Sequence, residues 1–484
     1  METKSLIRAL SVLLSIVSLF MLLCLGAGLA LGEGTAAMRA FGAPVLFGLL
    51  LFVLFVFVIK RNKVLLSSRS GYLFVTLSWI ASASLGAFPF LLSGATSSFA
   101  DALFESMSGF TTTGASVFAD IEAIPRSVLL WRATTHWLGG MGIVVLTVAI
   151  FPLLGISSKS LMEAEAPGPQ VDKFTPRLSH TAGLLWGLYL AMTLVLTVLL
   201  CVGGMDILDA VTHSFATMAT GGFSTKNASV ASFGSAYIDI VITVFMILAG
   251  TNFAIHWKLV TGKFSLVMKD SEWKLYILVF LLASGGIAFS VYRAGHYATA
   301  ADSLRFAAFQ AASILTTTGF VTADYLAWPS FAQALLFALM LVGGCSGSTG
   351  GGIKVGRILT LFRMGVAEMR YLLNPRGVYG IFVSRTYMKK TIVYDIAAMV
   401  YLYLFTAVIS TLVIAWGGYD ILTSLTATLA TLGNIGPGFS LVGPVSNYAF
   451  FPDWLKYWLT LIMLVGRLEV YTVLVLFTRW FWKR

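Results

Sequence analysis

Apolar runs of about 20 residues or more, separated by short polar stretches, recur from one end of this chain to the other. In helical form such a run matches the roughly 30 Å hydrocarbon core of a bilayer. Lipid offers nothing to an unpaired backbone group, and the runs are too long and continuous for barrel strands, so helices are expected. The first two runs, 6–31 and 42–60, are plain. Leu6 to Leu31 is too long for the apolar part of a cleaved leader and lacks an obvious cleavage site, so it reads as the first span. Beyond them one pattern appears four times: a long apolar helix, a shorter semi-polar segment, a glycine-bearing stretch and a second long apolar helix.

The four semi-polar segments read ADALFESMSGFTTTGAS, LDAVTHSFATMATGGFS, ADSLRFAAFQAASILTTTGFV and YDILTSLTATLATLGNIGPGF. Aligning Gly114, Gly221, Gly319 and Gly436 spaces them about 100 residues apart, which implies four similar hairpins around a pseudo-fourfold axis. The expected division is an N-terminal transmembrane hairpin (1–66), pore repeats at 67–160, 175–265, 270–365 and 391–484, and a segment at 366–390 between the last two. The fold class is therefore all-α integral membrane, with four helix–pore-loop–helix repeats plus the hairpin and about ten transmembrane helices.

Asp101, Asp209, Asp302 and Asp420 open the four segments and are read as N-caps of short helices that run inward from one face. Each short helix is too polar to span and is followed by polar residues, so the segments are re-entrant. Non-helical backbone at that depth is tolerated only where it lines a watery path. β-branched threonine keeps the chain extended, and glycine accepts the positive φ that lets successive carbonyls face one way. Four such loops form a ring of carbonyl oxygens able to replace a cation's hydration shell, and the negative ends of the helix dipoles point at the same place.

Composition agrees with a bilayer as solvent: 58% hydrophobic and 11% charged residues, with a mean hydropathy of +0.88. The net charge of +11 does not indicate nucleic acid, because the basic residues collect between the spans on one side. The other side keeps only Arg39, Arg126, Arg132, Lys226, Arg293, Arg305 and Lys456. That asymmetry predicts both termini in the cytoplasm and leaves Arg467 inside a span. Cys24, Cys201 and Cys345 lack CxxC spacing, and the five histidines lack metal spacing, so no disulfide or metal framework is implied.

With these four TxTG-like stretches the chain resembles the Trk/Ktr/HKT superfamily of potassium transporters, most closely its bacterial TrkH/TrkG branch, over its whole length. The resemblance implies a potassium selectivity filter formed by Thr111, Thr112, Thr113, Gly114 and Ala115; by Met218, Ala219, Thr220, Gly221 and Gly222; by Thr316, Thr317, Thr318, Gly319 and Phe320; and by Gly433, Asn434, Ile435, Gly436 and Pro437. Potassium would be the ion held there. Gly114 at the first filter position goes with potassium in the plant relatives. The fourth stretch departs from TxTG, and Gly436 is aligned there in preference to Gly433.

The run VGGCSGSTGGGIKVG interrupts the second long helix of the third repeat, and so many glycines should unwind it; close packing of helices through small residues is the alternative. The resemblance makes 343–353 a mobile intramembrane gate: Gly343, Gly344, Cys345, Ser346, Gly347, Ser348, Thr349, Gly350, Gly351 and Gly352, with Lys354 at its cytoplasmic edge. It also places Arg467 in the pore near that gate; a buried arginine bonded to loop carbonyls is the other reading, and the two are compatible. Glu469 lies two residues on, faces elsewhere and stays unassigned.

A rival reading is an intramembrane serine protease, since GCSG fits a GxSG motif with Ser346 as nucleophile; it would need His136, His213 or His256 as base and leaves the re-entrant segments unexplained. A nearer rival couples potassium entry to sodium or protons on the same fold. The basic segment 354–390 is a natural docking surface for a soluble regulator. By resemblance that would be a TrkA-type protein responsive to NAD(H) or to ATP and ADP, and the transporter would be a homodimer in the bacterial inner membrane.

Overall fold

The computed structural model describes residues 2–57, 68–142, 178–384 and 386–483. The basic residues Lys60, Arg61, Lys63, Lys159, Lys173, Arg177, Arg385 and Arg484 lie outside them.

Glu2–Ala30 and Gly34–Phe57 form an antiparallel pair packed on the first repeat. Their closest approach uses small residues: a Cβ on Gly48 would sit 1.9 Å from the Ser18 hydroxyl, the close backbone approach on which helix association in lipid depends.

Each repeat begins with a long helix: Ser68–Leu92, Leu178–Val202, Ser271–Arg293 and Lys390–Trp416. Each then turns into a short, largely buried helix: Phe99–Phe110, Ile207–Met218, Ala300–Leu315 and Ile421–Leu432. The capping expectation holds only for Asp420, whose carboxylate accepts from the Thr423 N–H. Ser98 and Thr299 cap the first and third helices, with Asp101 and Asp302 in the first turn. Asp206 precedes the second, with Asp209 inside it. Carboxylates in the first turn still meet the positive end of the helix dipole.

The second helices of repeats 2 and 4 are not the continuous spans the sequence pattern predicts, while that of repeat 3 is broken at its glycine run, as expected. In repeat 2, Ala236–Ala249 bends by 100° into Phe253–Val260, where Asn252 caps the new helix by accepting from the Ala254 N–H at 2.8 Å. In repeat 4, Asp453–Arg467 bends by 115° at Glu469 and Val470, both at positive φ. In repeat 3, Ser330–Met340 and Val355–Leu373 are separated by the non-helical stretch 341–354. Repeat 1 contributes Arg126–Gly140, whose continuation lies outside the described residues.

The repeats close a circle. The second helices of repeats 1, 2 and 4 pack on the short helices of repeats 2, 3 and 1 respectively. Large apolar side chains on the long first helices face outward, as in Leu194, Leu282 and Leu412, which suits lipid. Between Val355–Leu373 and the first helix of the fourth repeat, a two-residue strand pair, Phe382–Val383 with Thr386–Tyr387, forms a small hairpin.

Candidate functional site: a ring of carbonyls above a glycine plug

All four short helices end at the same structural position, at Phe110, Met218, Leu315 and Leu432, and all four are followed by the same backbone path. A capping residue (Thr111, Ala219, Thr316 or Gly433) leads to one with positive φ (Thr112, Thr220, Thr317 or Asn434, at 54° to 59°). Two residues later a glycine again has positive φ: Gly114 at 78°, Gly222 at 81°, Gly319 at 83° and Gly436 at 96°.

This path corrects one register. Alignment of Gly221 with Gly114 placed the second stretch one residue too early; Gly222 is the equivalent glycine, and Met218 is the last residue of the short helix and stands below the stretch. In the fourth stretch Gly436, with its positive φ, occupies the ring position, and Gly433 is the helix cap.

The four glycines touch in sequence around an axis. A Cβ on Gly114 would lie 2.1 Å from the Gly221 carbonyl oxygen, one on Gly222 2.0 Å from that of Thr318, one on Gly319 2.1 Å from that of Ile435, and one on Gly436 2.7 Å from that of Thr113. Each repeat thus abuts the next, and the fourth returns to the first. Thr113, Gly221, Thr318 and Ile435 hold the equivalent place in all four stretches, so their carbonyls form one closed ring. Only glycine combines the required φ with that approach. Hydroxyl pairs brace the threonine strands, Thr111 with Thr113 and Thr316 with Thr318, each at 2.7 Å.

On one side the ring opens into a funnel lined by the four ring glycines together with Ala115, Ser116, Ser224, Lys226, Pro437 and Tyr448. At its rim the Asn227 amide holds the Asp120 carboxyl below the usual carboxylate range. Arg132 and Lys456, counted from the sequence among the outer charges, are buried in ion pairs: Arg132 with Glu105 at 2.6 Å, and Lys456 with Asp101 at 2.5 Å.

The opposite side is filled. The stretch 341–354 inserts directly beneath the ring, where the Gly351 N–H donates to the Thr317 hydroxyl at 2.6 Å. A Cβ on Gly351 would sit 2.3 Å from the Gly433 carbonyl oxygen, and one on Gly350 would sit 3.0 Å from that of Thr316. The loop closes its own neck through Gly343 N–H to Ile353 (2.8 Å) and Val355 N–H to Gly344 (3.1 Å). It docks in the break of repeat 2, where the Cys345 N–H donates to Gly250 at 2.8 Å and the Gly347 carbonyl accepts from Phe253 at 3.1 Å. The Ser348 hydroxyl bonds back to the Cys345 carbonyl at 2.7 Å. The glycines here unwind the helix and let the plug approach the ring backbone.

Arg467 secures the plug from the last helix. Its guanidinium donates to the Thr112 hydroxyl (3.1 Å) and to the carbonyls of Thr349 (2.8 Å), Gly139 (2.5 Å) and Gly140 (2.9 Å). Arg467 is thus a buried arginine bonded to carbonyls, one of which the plug supplies. Lys354 bonds the Gly350 carbonyl within the loop. Glu469, unassigned from sequence, pairs with Arg357 at 2.5 Å.

Sequence reasoning missed Glu105 and Glu272, and read His136 only as a packing or interface residue. Glu105 is fully buried and accepts from Arg132, Ser116 and the Val117 N–H. His136 bridges the Gly109 carbonyl (2.7 Å) and the Phe223 N–H (3.2 Å) across repeats 1 and 2. Glu272 clasps both ends of the plug, accepting from Ser346 N–H at 2.6 Å and Gly356 N–H at 2.9 Å. Glu105 left a legible trace, a lone carboxylate at membrane depth that must find a partner. As for the protease reading, His136, His213 and His256 are hydrogen-bonded to groups other than Ser346, and the Ser346 N–H donates to Glu272.

A model of the TrkH family, described as a cation transport protein, matches residues 48–483. The chain belongs to that family. Among its relatives, the Trk system potassium uptake protein TrkH of Escherichia coli K12 is 39% identical over 427 residues, 88% of each chain. TrkH of Vibrio parahaemolyticus is 38% identical over the full length of both chains. The crystal structure of the potassium transporter TrkH from Vibrio parahaemolyticus superposes with a TM-score of 0.87 at 35% identity, covering all of both chains. With its membrane-spanning helices and bacterial relatives, this chain is a multi-span protein of the bacterial inner membrane.

Proposed function

We propose that this protein takes up potassium across the cytoplasmic membrane, through the four-repeat ring as a selectivity filter and with the 343–353 loop as its gate. One observation carries the reading: the carbonyls of Thr113, Gly221, Thr318 and Ile435 and their four ring glycines close on one another around an axis, with a funnel above and a plug below. Such a ring can substitute for the water shell of a dehydrated cation. Relatives of nearly equal length are named potassium uptake proteins, which favours potassium as the ion, with Thr111 to Gly114, Ala219 to Gly222, Thr316 to Gly319 and Gly433 to Gly436 as its binding stretches.

The membrane potential drives the ion. Each unit charge gains about 2.3 kcal/mol per 100 mV, so inward accumulation needs no coupled sodium or proton, and the chain acts as a transport path and not as an enzyme. Both termini lie in the cytoplasm, with the funnel outside and the plug inside, in accord with the basic residues of 354–390. That segment docks a TrkA-type regulator binding NAD(H) or adenine nucleotides, and two copies of the chain form a homodimer.

The test is flux into proteoliposomes holding the purified protein at a negative-inside potential. Potassium and rubidium uptake well above sodium uptake is expected, without a sodium or proton gradient. If no cation moves, with or without a TrkA-type partner, the reading fails; uptake that requires an imposed sodium or proton gradient would replace the driving force with coupled symport.

A further inference from the structure

We propose that Glu105 and Arg132 are a positioning pair that fixes the filter's ion discrimination by bolting together the return segments of two repeats, and that Glu105 also neutralises the Arg132 guanidinium at the mouth. The inference rests on the filter reading above.

The returning strand after each ring glycine must be held from behind, because the ring oxygens are free to bind an ion only if they do not also hold the structure together. In repeats 1 to 3 one side chain at the same level of the short helix does this. Glu105 accepts from the Ser116 hydroxyl at 3.1 Å and the Val117 N–H at 2.9 Å; His213 meets the Ser224 hydroxyl at 2.9 Å; Gln310 donates to the Thr322 hydroxyl at 3.3 Å. Among these three, only Glu105 is a carboxylate, and only it is paired with a buried arginine.

That pairing carries the bolt into the neighbouring repeat. Arg132 donates Nε to Glu105 at 2.6 Å and Nη1 to the Ser224 carbonyl at 2.9 Å, and its guanidinium lies 3.5 Å from the Phe223 ring centroid. Ser116 and Ser224 stand at the same place after Gly114 and Gly222. The Ser116 carbonyl in turn accepts from the Tyr448 N–H at 2.8 Å, which brings in repeat 4. A charge-assisted hydrogen bond of this kind is short and directional, and with the second bond from Arg132 to Ser224 it holds neighbouring ring carbonyls at a fixed spacing.

Arg132 also lines the funnel. A positive charge beside a cation path opposes entry unless it is compensated, and within the described residues Glu105 is the carboxylate in contact with it. The pair therefore has two separable effects, on spacing and on charge, and a double mutant distinguishes them. Glu105→Gln removes the negative charge and turns an amide toward two donors; Glu105→Gln with Arg132→Gln removes both charges but not the need for the bolt.

The experiment is potassium and sodium flux in proteoliposomes, comparing the wild type with Glu105→Gln, Arg132→Gln, the double variant and Ser116→Ala, on preparations that remain monodisperse. Glu105→Gln is expected to lower potassium flux at least tenfold and the potassium-to-sodium ratio at least tenfold. The double variant should recover flux to within about threefold of wild type while its selectivity stays low. Ser116→Ala, which leaves the ion pair intact, should lower the ratio about threefold and covers the case in which Glu105→Gln does not fold. Wild-type selectivity in Glu105→Gln or, if that variant fails to fold, in Ser116→Ala overturns the positioning role, and a double variant as slow as Glu105→Gln overturns the charge compensation. A wild-type protein that passes no potassium instead removes the filter reading beneath both.

Discussion

Replacing Gly319 by alanine tests the ring with the smallest possible change. Gly319 has φ of 83°, and its added methyl would lie 2.1 Å from the Ile435 carbonyl oxygen and 2.8 Å from Pro437 Cδ. Real Cβ contacts essentially never fall under 3.0 Å, so that oxygen must retreat by about 1 Å. A left-handed conformation costs an alanine about 1–2 kcal/mol, and overpacking a tight site adds about 1–3 kcal/mol. If about half of that strain falls on the ring spacing that distinguishes potassium from sodium, the loss is between about 1 and 2.5 kcal/mol, or on the order of 5- to 60-fold in selectivity. The assay is the ratio of potassium to sodium uptake in proteoliposomes at a fixed negative-inside potential. A folded Gly319→Ala protein whose ratio stays within about twofold of wild type would refute the reasoning, because the Ile435 carbonyl would then have no part in discrimination.

Other perturbations separate the plug from the ring. Gly351→Ala places a methyl 2.3 Å from the Gly433 oxygen, so the plug cannot seat, and potassium flux without a regulator should rise severalfold; an unchanged basal flux would show that the loop does not block. Arg467→Ala removes four donor contacts to Thr112, Thr349, Gly139 and Gly140, each worth about 1.5–3 kcal/mol when the donor is charged. Basal flux should rise about tenfold or more with a lower melting temperature, and reduced flux would instead make Arg467 part of the conducting path. Glu272→Gln leaves one neutral acceptor for the Ser346 and Gly356 N–H groups, so electrophysiology should show a higher open probability and an unchanged single-channel current. As a control, Gly48→Leu collides with Ser18 in the N-terminal pair and should destabilise the protein by about 1–3 kcal/mol in thermal melts without altering selectivity.

The architecture was legible because lipid imposes it: apolar runs of spanning length, and four polar interruptions that repeat at similar intervals. The caps were legible too, in a signal the sequence reading passed over. Ser98 and Thr299 each stand three residues before an aspartate, the spacing of a capping box. The register of TMATGGFS was not legible, because two adjacent glycines fit the pattern equally and only φ separates Gly222 from Gly221. Nor were the bends. Asn252 is a cap by its residue type, but nothing local in the sequence calls for positive φ at Glu469 and Val470, the latter β-branched. Glu105 and Arg132 meet only through the hairpin of repeat 1, a pairing that no spacing rule along one helix reveals.

The most direct test of the central claim is to locate the ion. Crystals or frozen-hydrated particles prepared in rubidium should show density on the axis within the ring of oxygens from Thr113, Gly221, Thr318 and Ile435, lost when sodium replaces rubidium. An empty axis in rubidium, or ion density only at sites away from these carbonyls, would contradict it.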